Sequence, residues 1–404
     1  MRSALSIVYG NPRLRVSAIG IFFFGFTGAA TSPYYSLIGI HELGLSNTAF
    51  AVVSFCAAIV NVSASVAAGI LADRLGRFRL PILAVCLAGV IGYLLVYFLP
   101  TVAVFTVASL MLIPVFGALN SLIFAYVRAG SEALAPREMI AVNSAIRAVI
   151  SASWVLVPGI VGFALAGRPS MLPAFLLAGL ACAVCFLLFA VLVREQAGER
   201  VERREPSYAF LASLKQIGSV SVWPHVVAIA LITSMLHVNG TVLPLIVTGQ
   251  AGGSPADVGT IVGIVALLEV VFIIVWGWIE ARTSSVLAAS ASAAFYSLYL
   301  ALLGLSHNTV SVYLLTGISG FGAAGIIAIP ITYLQNLIAR RAGLGSSLIA
   351  VNVFLSGGLS ALLFSLGTSI SDYTGASMLG AAAGLLGALL LILLRYGVIG
   401  GRSS

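Results

Sequence analysis

The chain has 404 residues, 60% of them hydrophobic and 8% charged, with a mean hydropathy of +1.13 and a formal net charge of +8. A water-soluble domain is about one quarter charged, so this balance excludes one. The basic residues stand singly between apolar runs without an aromatic-basic patch, which argues against a nucleic-acid partner and makes the lipid bilayer the surface that the charge addresses.

Apolar runs of about 20 residues recur along the whole length, each long enough as a helix to cross about 30 Å of hydrocarbon. The first follows Arg13 and Arg15. Gly28 to Ala30 imitate a peptidase site, but the run is long enough to span and is expected to be retained. Bounded by charges, Pro, Gly or Asn, the runs predict helices at about 15–38, 47–72, 80–98, 102–127, 139–165 and 171–193. Six more are predicted at about 222–248, 255–280, 284–304, 310–336, 345–368 and 374–397. Between the two sets lies the most charged stretch of the chain, from Arg194 to Lys215. The expected organisation is therefore an N-terminal six-helix bundle over 1–193, a solvated cytoplasmic linker over 194–217 and a second bundle over 218–404. Cys56, Cys86, Cys182 and Cys185 all fall inside predicted spans, so no disulfide scaffold is expected.

Lysine and arginine set the orientation. Placing both termini in the cytoplasm puts 18 of the 20 basic residues on that side, leaving only Arg168 in an outer loop and Arg147 inside a span. Shifting the count by one helix destroys the asymmetry.

Between the second and third spans the chain reads Gly69-Ile-Leu-Ala-Asp73-Arg74-Leu-Gly76-Arg77-Phe-Arg79, with a weaker copy at Gly277-Trp-Ile-Glu280-Ala-Arg282. Asp73 can cap or pair near a helix end, Gly76 permits a tight turn, and Arg74 and Arg77 favour the helix C-terminal dipole; simple positive-inside punctuation is the alternative. In the fifth span Asn143, Arg147, Ser151, Trp154 and Pro158 share one helical face. An arginine this deep costs about 2.5 to 3.5 kcal/mol on insertion scales, so Arg147 is expected to face a partner or a wet cavity unless it snorkels to the inner surface. Glu269, alone in the eighth span, lies at similar depth and is the expected partner. Arg128 and Glu132, four residues apart at the inner end of the fourth span, are further gating or coupling candidates, with a structural ion pair as the alternative.

Amides and aromatic rings inside spans suit a neutral polyhydroxylated ligand, since amides both donate and accept and rings stack on apolar sugar faces. Tyr34, Asn120, Asn143, His237, Asn239, Gln335 and Asn352 are the substrate-contact candidates, together with Arg147 and Glu269. His237 could also carry a proton. Gly320-Phe-Gly322-Ala-Ala-Gly325 spells a dinucleotide fingerprint but lies within a span with no preceding strand, so it reads as helix packing. No Walker A, zinc or nucleophile-elbow motif is present. Neither cofactor, metal nor enzymatic activity is expected, and transport should run on a gradient.

Six plus six helices around a charged linker, with the Gly69 to Arg79 loop, resemble the major facilitator superfamily, an all-α membrane fold of two pseudo-symmetric bundles that rock about a midplane site. More closely, Leu122 to Arg128, Arg137-Glu138, Asn143-Ser144, Arg147-Ala148, Trp154 to Pro158, Gly263 to Glu269, Tyr333 to Asn336, Arg341 to Gly343 and Asn352 are similar to the bacterial sugar efflux transporters. The resemblance implies export of mono- or disaccharides or glucosides in exchange for protons, by a monomer in the bacterial inner membrane. It departs at Val242 and Leu243, where an acid is expected before Pro244, and at Val157, where an exporter element would carry glycine. A drug or metabolite exporter is the alternative, and a polytopic membrane enzyme or sensor a remote one.

Overall fold

The computed structural model describes residues 4–131, 134–193, 222–337 and 342–396; within these, the side chains of Asp73, Gln335 and Asn336 are among those left undescribed. The expected linker, Glu132 and the C-terminal tail lie outside the described residues.

After a short helix, Ala4–Gly10, α1 (Pro12–Thr31) starts where Asn11 accepts a hydrogen bond from the Arg13 amide and Pro12 occupies the first turn. The predicted first span runs on as one helix to residue 38, whereas α1 ends at Thr31 and continues as a 3-10 turn, Ser32–Tyr34, and a π turn, Leu37–Glu42. Pro33 has no N–H for the ladder, so the chain changes winding there. Then follow α2 (Asn47–Leu75), ended by Gly76 at φ +61°, α3 (Arg79–Phe98) and α4 (Val102–Gly130). A π turn at Ala108–Leu112, just before Pro114, interrupts α4. The first half ends with α5 (Pro136–Ala164) and α6 (Pro173–Leu192).

The second half opens with α7 (Trp223–Thr248), α8 (Pro255–Arg282), α9 (Ser285–Gly304) and α10 (Thr309–Leu337). The last helical stretch, Ala342–Arg395, folds back at Ser371 and Asp372, whose backbones are non-helical. It therefore crosses twice, as α11 (342–370) and α12 (373–395), and the eleven long apolar helices among the described residues make twelve spans. Packing repeats between halves: α3 lies on α6 and α1 on α5 and α6, while in the second half α9 lies on α12 and α7 on α11 and α12. With lipid outside, such contacts depend on close approach and on polar bonds between helices. Gly380, Gly384 and Gly387 accordingly set α12 directly against Val238, Met235 and Ala228 of α7.

One end of the molecule carries Arg74, Arg77, Arg79, Arg282 and Arg395, and is called here the basic end; the far end carries Glu42, Gly167 and Gly252. The halves meet along two helix pairs, α5 with α8 and α2 with α11, and through the tail of α1. These seams lie toward the far end. Val155 opposes Gly263 and Gly162 opposes Ala256 in the first, while Phe55 lies 5.9 Å from Phe354 and Phe50 6.2 Å from Phe364 in the second. Ser36 donates to the Thr241 carbonyl at 2.9 Å, and His41 lies 3.2 Å from the Tyr373 hydroxyl.

Candidate functional site

Behind the far-end seams is a cavity of about 460 Å³ walled by α1, α2, α4, α5 and Val353 and Phe354 of α11. Its shape follows from the irregular turns. Pro33 and the 3-10 turn rotate the next side chain, Tyr35, into the cavity, where its hydroxyl bonds Ser109 on the π turn of α4. Its ring lies 5.1 Å from Phe105 and stacks at 6.0 Å on Phe175. The stretch of α4 around Pro114 forms a second wall, latched by Asn61 of α2, whose amide donates to the Pro114 carbonyl at 2.9 Å. Asn61 fits because a methyl at Gly117 would fall 1.9 Å from its nitrogen. Trp154 of α5, Tyr93 of α3, Thr27 of α1 and Ser54 of α2 complete the polar and aromatic lining, among Phe24, Phe116 and Phe354. No described residue of this lining carries a charge, so the site offers hydroxyls, an amide and ring faces.

Trp154, on the same face of α5 as Arg147, lines this cavity, whereas none of the described substrate-contact candidates does, and Arg147 and Glu269 lie on the basic-end side of it. The register of α5 against α8 puts Glu269 opposite Val149, within about 3 Å in height of Arg147 at 1.5 Å per residue. The two do not form an ion pair in this structure. Arg147 is exposed and its guanidinium stands 5.2 Å from the Phe124 ring centroid, whereas Glu269 is half-buried and makes no hydrogen bond among the described residues. Shared depth does not ensure contact: the halves are joined toward the far end, where Val155 opposes Gly263, and Arg147 and Glu269 lie on the basic-end side of that contact.

The remaining candidates are dispersed. Tyr34 is fully buried between α5 and α8 rather than in the cavity. Asn120 and Asn143 are half-buried on α4 and α5, and the Asn120 Oδ1 is enclosed without a partner. Exposed His237 lies 3.3 Å from the Thr233 carbonyl of its own helix. Asn239 accepts from the Tyr299 hydroxyl at 2.8 Å, and Asn352 donates to Thr233 Oγ1 at 3.2 Å, so both tie α7 to its neighbours. The side chains of Gln335, Asp73 and Glu132 lie outside the described residues. Arg74, Arg77 and Arg128 are exposed at the basic end. There Arg79 Nη2 donates at 2.5 Å to the Ala190 carbonyl in the last turn of α6, where the helix dipole favours a cation. In the second half Glu280 accepts from Ser285 at 2.6 Å, and Arg282 stacks 3.6 Å from the Trp278 centroid.

Ser109 and Tyr93 are functional candidates that sequence reasoning passes over, while Tyr35 and Asn61 stand in it only among the other polar residues within spans. The available signal was Pro33 and Pro114 inside apolar runs, each marking a change of winding that re-aims the following side chains.

Twelve crossings in two repeated halves, with an uncharged cavity closed at one end by contacts between them, define a membrane transporter. The chain belongs to the Major Facilitator Superfamily, whose family model matches residues 17–361. It is 24% identical over 371 residues to a candidate sugar efflux transporter of Deinococcus radiodurans, covering 91% of this chain and 94% of that one. The fold is similar to that of the nucleoside transporter NupG in a mutant form, with a TM-score of 0.77, 14% identity and coverage of 95% and 100%. It is also similar to a mutant peptide transporter POT in complex with sulfate, with a TM-score of 0.74, 16% identity and coverage of 98% and 99%.

Proposed function

We propose that this protein exports neutral sugars, mono- or disaccharides or glucosides, in exchange for protons by alternating access. The observation that carries the reading is the lining of the cavity: ring faces from Trp154, Tyr35 and Tyr93 beside an amide and hydroxyls, with no charged group among the described residues. Rings bury the apolar faces of a pyranose and the few polar groups fix its hydroxyls, whereas a zwitterion or cation would be desolvated there without a counter-charge. The Deinococcus radiodurans relative points the same way.

In this reading the basic end faces the cytoplasm of a bacterial cell, both termini lie inside, and the protein works as a monomer of two bundles, 1–193 and 218–404, joined by the 194–217 linker. The far-end seams are the outer gate, shut while the cavity loads from inside. Glu269 is the proton-carrying group, and Arg147 meets it as the basic end closes. Asp73, Arg74, Arg77, Arg128 and Glu132 guard that end. Of the sequence candidates, Asn143, His237 and Gln335 are assigned to the path between the cavity and the cytoplasm.

Inside-out vesicles given a proton gradient and labelled lactose or methyl β-glucoside test the function. Uphill accumulation is expected, and its absence for every sugar tried would overturn the reading. The predominance of apolar surface in the lining favours a second reading, export of a drug or other metabolite. Binding of cationic drugs but not sugars to purified protein would select it.

A further inference from the structure

We propose that the adjacent Tyr34 and Tyr35 couple occupancy of the cavity to closure of the far-end seam. The coupling rests on reading the cavity as the substrate site; the gate half of it does not. The two rings leave one irregular turn in different directions. Tyr35 lines the cavity and bonds Ser109. Tyr34 is fully buried, and its hydroxyl is enclosed with no hydrogen-bond partner. That hydroxyl fills a hole made by two glycines, one from each half of the protein: a methyl would lie 3.0 Å from it at Gly162 and 2.5 Å at Gly259. Two residues on, Ser36 bonds the Thr241 carbonyl of α7. One short segment thus touches the cavity, α5, α7 and α8.

A buried phenol without a partner is destabilised relative to one in water. The Tyr34 hydroxyl bears that cost only while α5 and α8 are together, since separation of the seam returns it to solvent. Closure therefore carries a built-in opposing term. A ligand hydroxyl that replaces Ser109 as the partner of Tyr35 pulls on the turn that also holds Tyr34. Because a 3-10 turn has 3.0 residues per turn and an α turn 3.6, rewinding Ser32–Tyr34 swings successive side chains by about 20° per residue and draws the phenol from its hole.

The test uses the full-length protein in proteoliposomes with a Ser36→Cys reporter, since Ser36 is 1% exposed in the closed seam, and with Cys56→Ser to remove the partly accessible native thiol. The rate of alkylation by a membrane-impermeant maleimide reads far-end opening. Without sugar, Tyr34→Phe should slow alkylation about tenfold. Gly162→Ala, which presses on the same hydroxyl, should speed it, and adding Tyr34→Phe should blunt that gain. Lactose or methyl β-glucoside should accelerate alkylation of the parent, and Tyr35→Phe should remove that acceleration when compared with its own sugar-free rate. An unchanged or faster rate in Tyr34→Phe overturns the gate role, and a parental sugar response in Tyr35→Phe overturns the coupling. If neither sugar changes the parent rate, the coupling and the substrate assignment fail, whereas the sugar-free comparisons still decide the role of Tyr34.

Discussion

Gly259→Ala should hold the far end open. A methyl there would fall 2.3 Å from the Pro158 carbonyl oxygen, 2.5 Å from the Tyr34 hydroxyl and 3.1 Å from the Gly162 Cα, where ordinary contact begins near 3.4 Å. The tyrosine could swing aside, but the Pro158 carbonyl is backbone within α5 and cannot, so α5 and α8 must part by about 1 Å at their crossing. Overpacking of this kind costs about 1–3 kcal/mol. It acts on the closed seam, because parting α5 from α8 removes these contacts, and so it shifts the equilibrium about 5- to 150-fold toward far-end opening. Gly277→Ala on the same helix is the control: nothing lies within 4 Å of a methyl there, and replacing a glycine inside a helix gains up to about 1 kcal/mol. Alkylation of the Ser36→Cys reporter and the initial rate of sugar accumulation in inside-out vesicles read the outcome. Gly259→Ala should alkylate faster and transport more slowly while still binding sugar, and Gly277→Ala should do neither and melt slightly higher. Parental alkylation and transport in Gly259→Ala would refute the claim that this crossing is the gate.

Glu269→Gln should abolish uphill, gradient-driven efflux yet preserve sugar exchange across vesicles at equal pH, and unimpaired uphill efflux removes Glu269 from coupling. Reversing Arg147 and Glu269 together should restore transport lost in either single reversal, as the pair expected at the closed basic end requires; failure of the double variant counts against it. Asp372 sits at φ 50° and ψ −144°, a region comfortable only for glycine, so Asp372→Gly should stabilise the protein by about 1 kcal/mol in thermal unfolding, and an unchanged or lower midpoint contradicts strain at the α11–α12 fold-back. Trp154→Phe should remove the larger part of any sugar-induced change in tryptophan fluorescence, which Trp223, Trp276 and Trp278 report only from outside the cavity.

Hydropathy made the spans legible because the bilayer imposes one length and one backbone solution on every crossing. Even the fold-back that merges α11 and α12 into one helical run was readable, since the polar Ser369 to Thr374 interrupts the apolar pattern. The cavity was much less legible. Its polar residues are not the deepest or most charged ones but those that two local changes of winding aim inward. Choosing Tyr34 over Tyr35 is the instructive case: an unbroken α-helix through residue 38 gives no reason to prefer one of two neighbouring tyrosines. Once Pro33 tightens the turn, their directions diverge, one toward the seam and one toward the cavity. Likewise Asn61 stands out only when Pro114 and Gly117, on a different helix, are known to face it.

The separation of Arg147 from Glu269 has a different origin. Sequence supplied their depth, and the α5 to α8 register agrees with it to within about a helical turn. Depth is common to every state of a rocking pair of bundles, whereas lateral distance depends on which end is shut. With the far end joined through Gly162, Gly259 and Gly263, two groups placed beyond those contacts are set apart, and Arg147 turns to the face of Phe124, where an aromatic ring partly offsets the lost counter-charge. An exposed arginine and a half-buried carboxylate at one height, on helices that already touch farther along, are what an alternating pair requires of the state in which it is open.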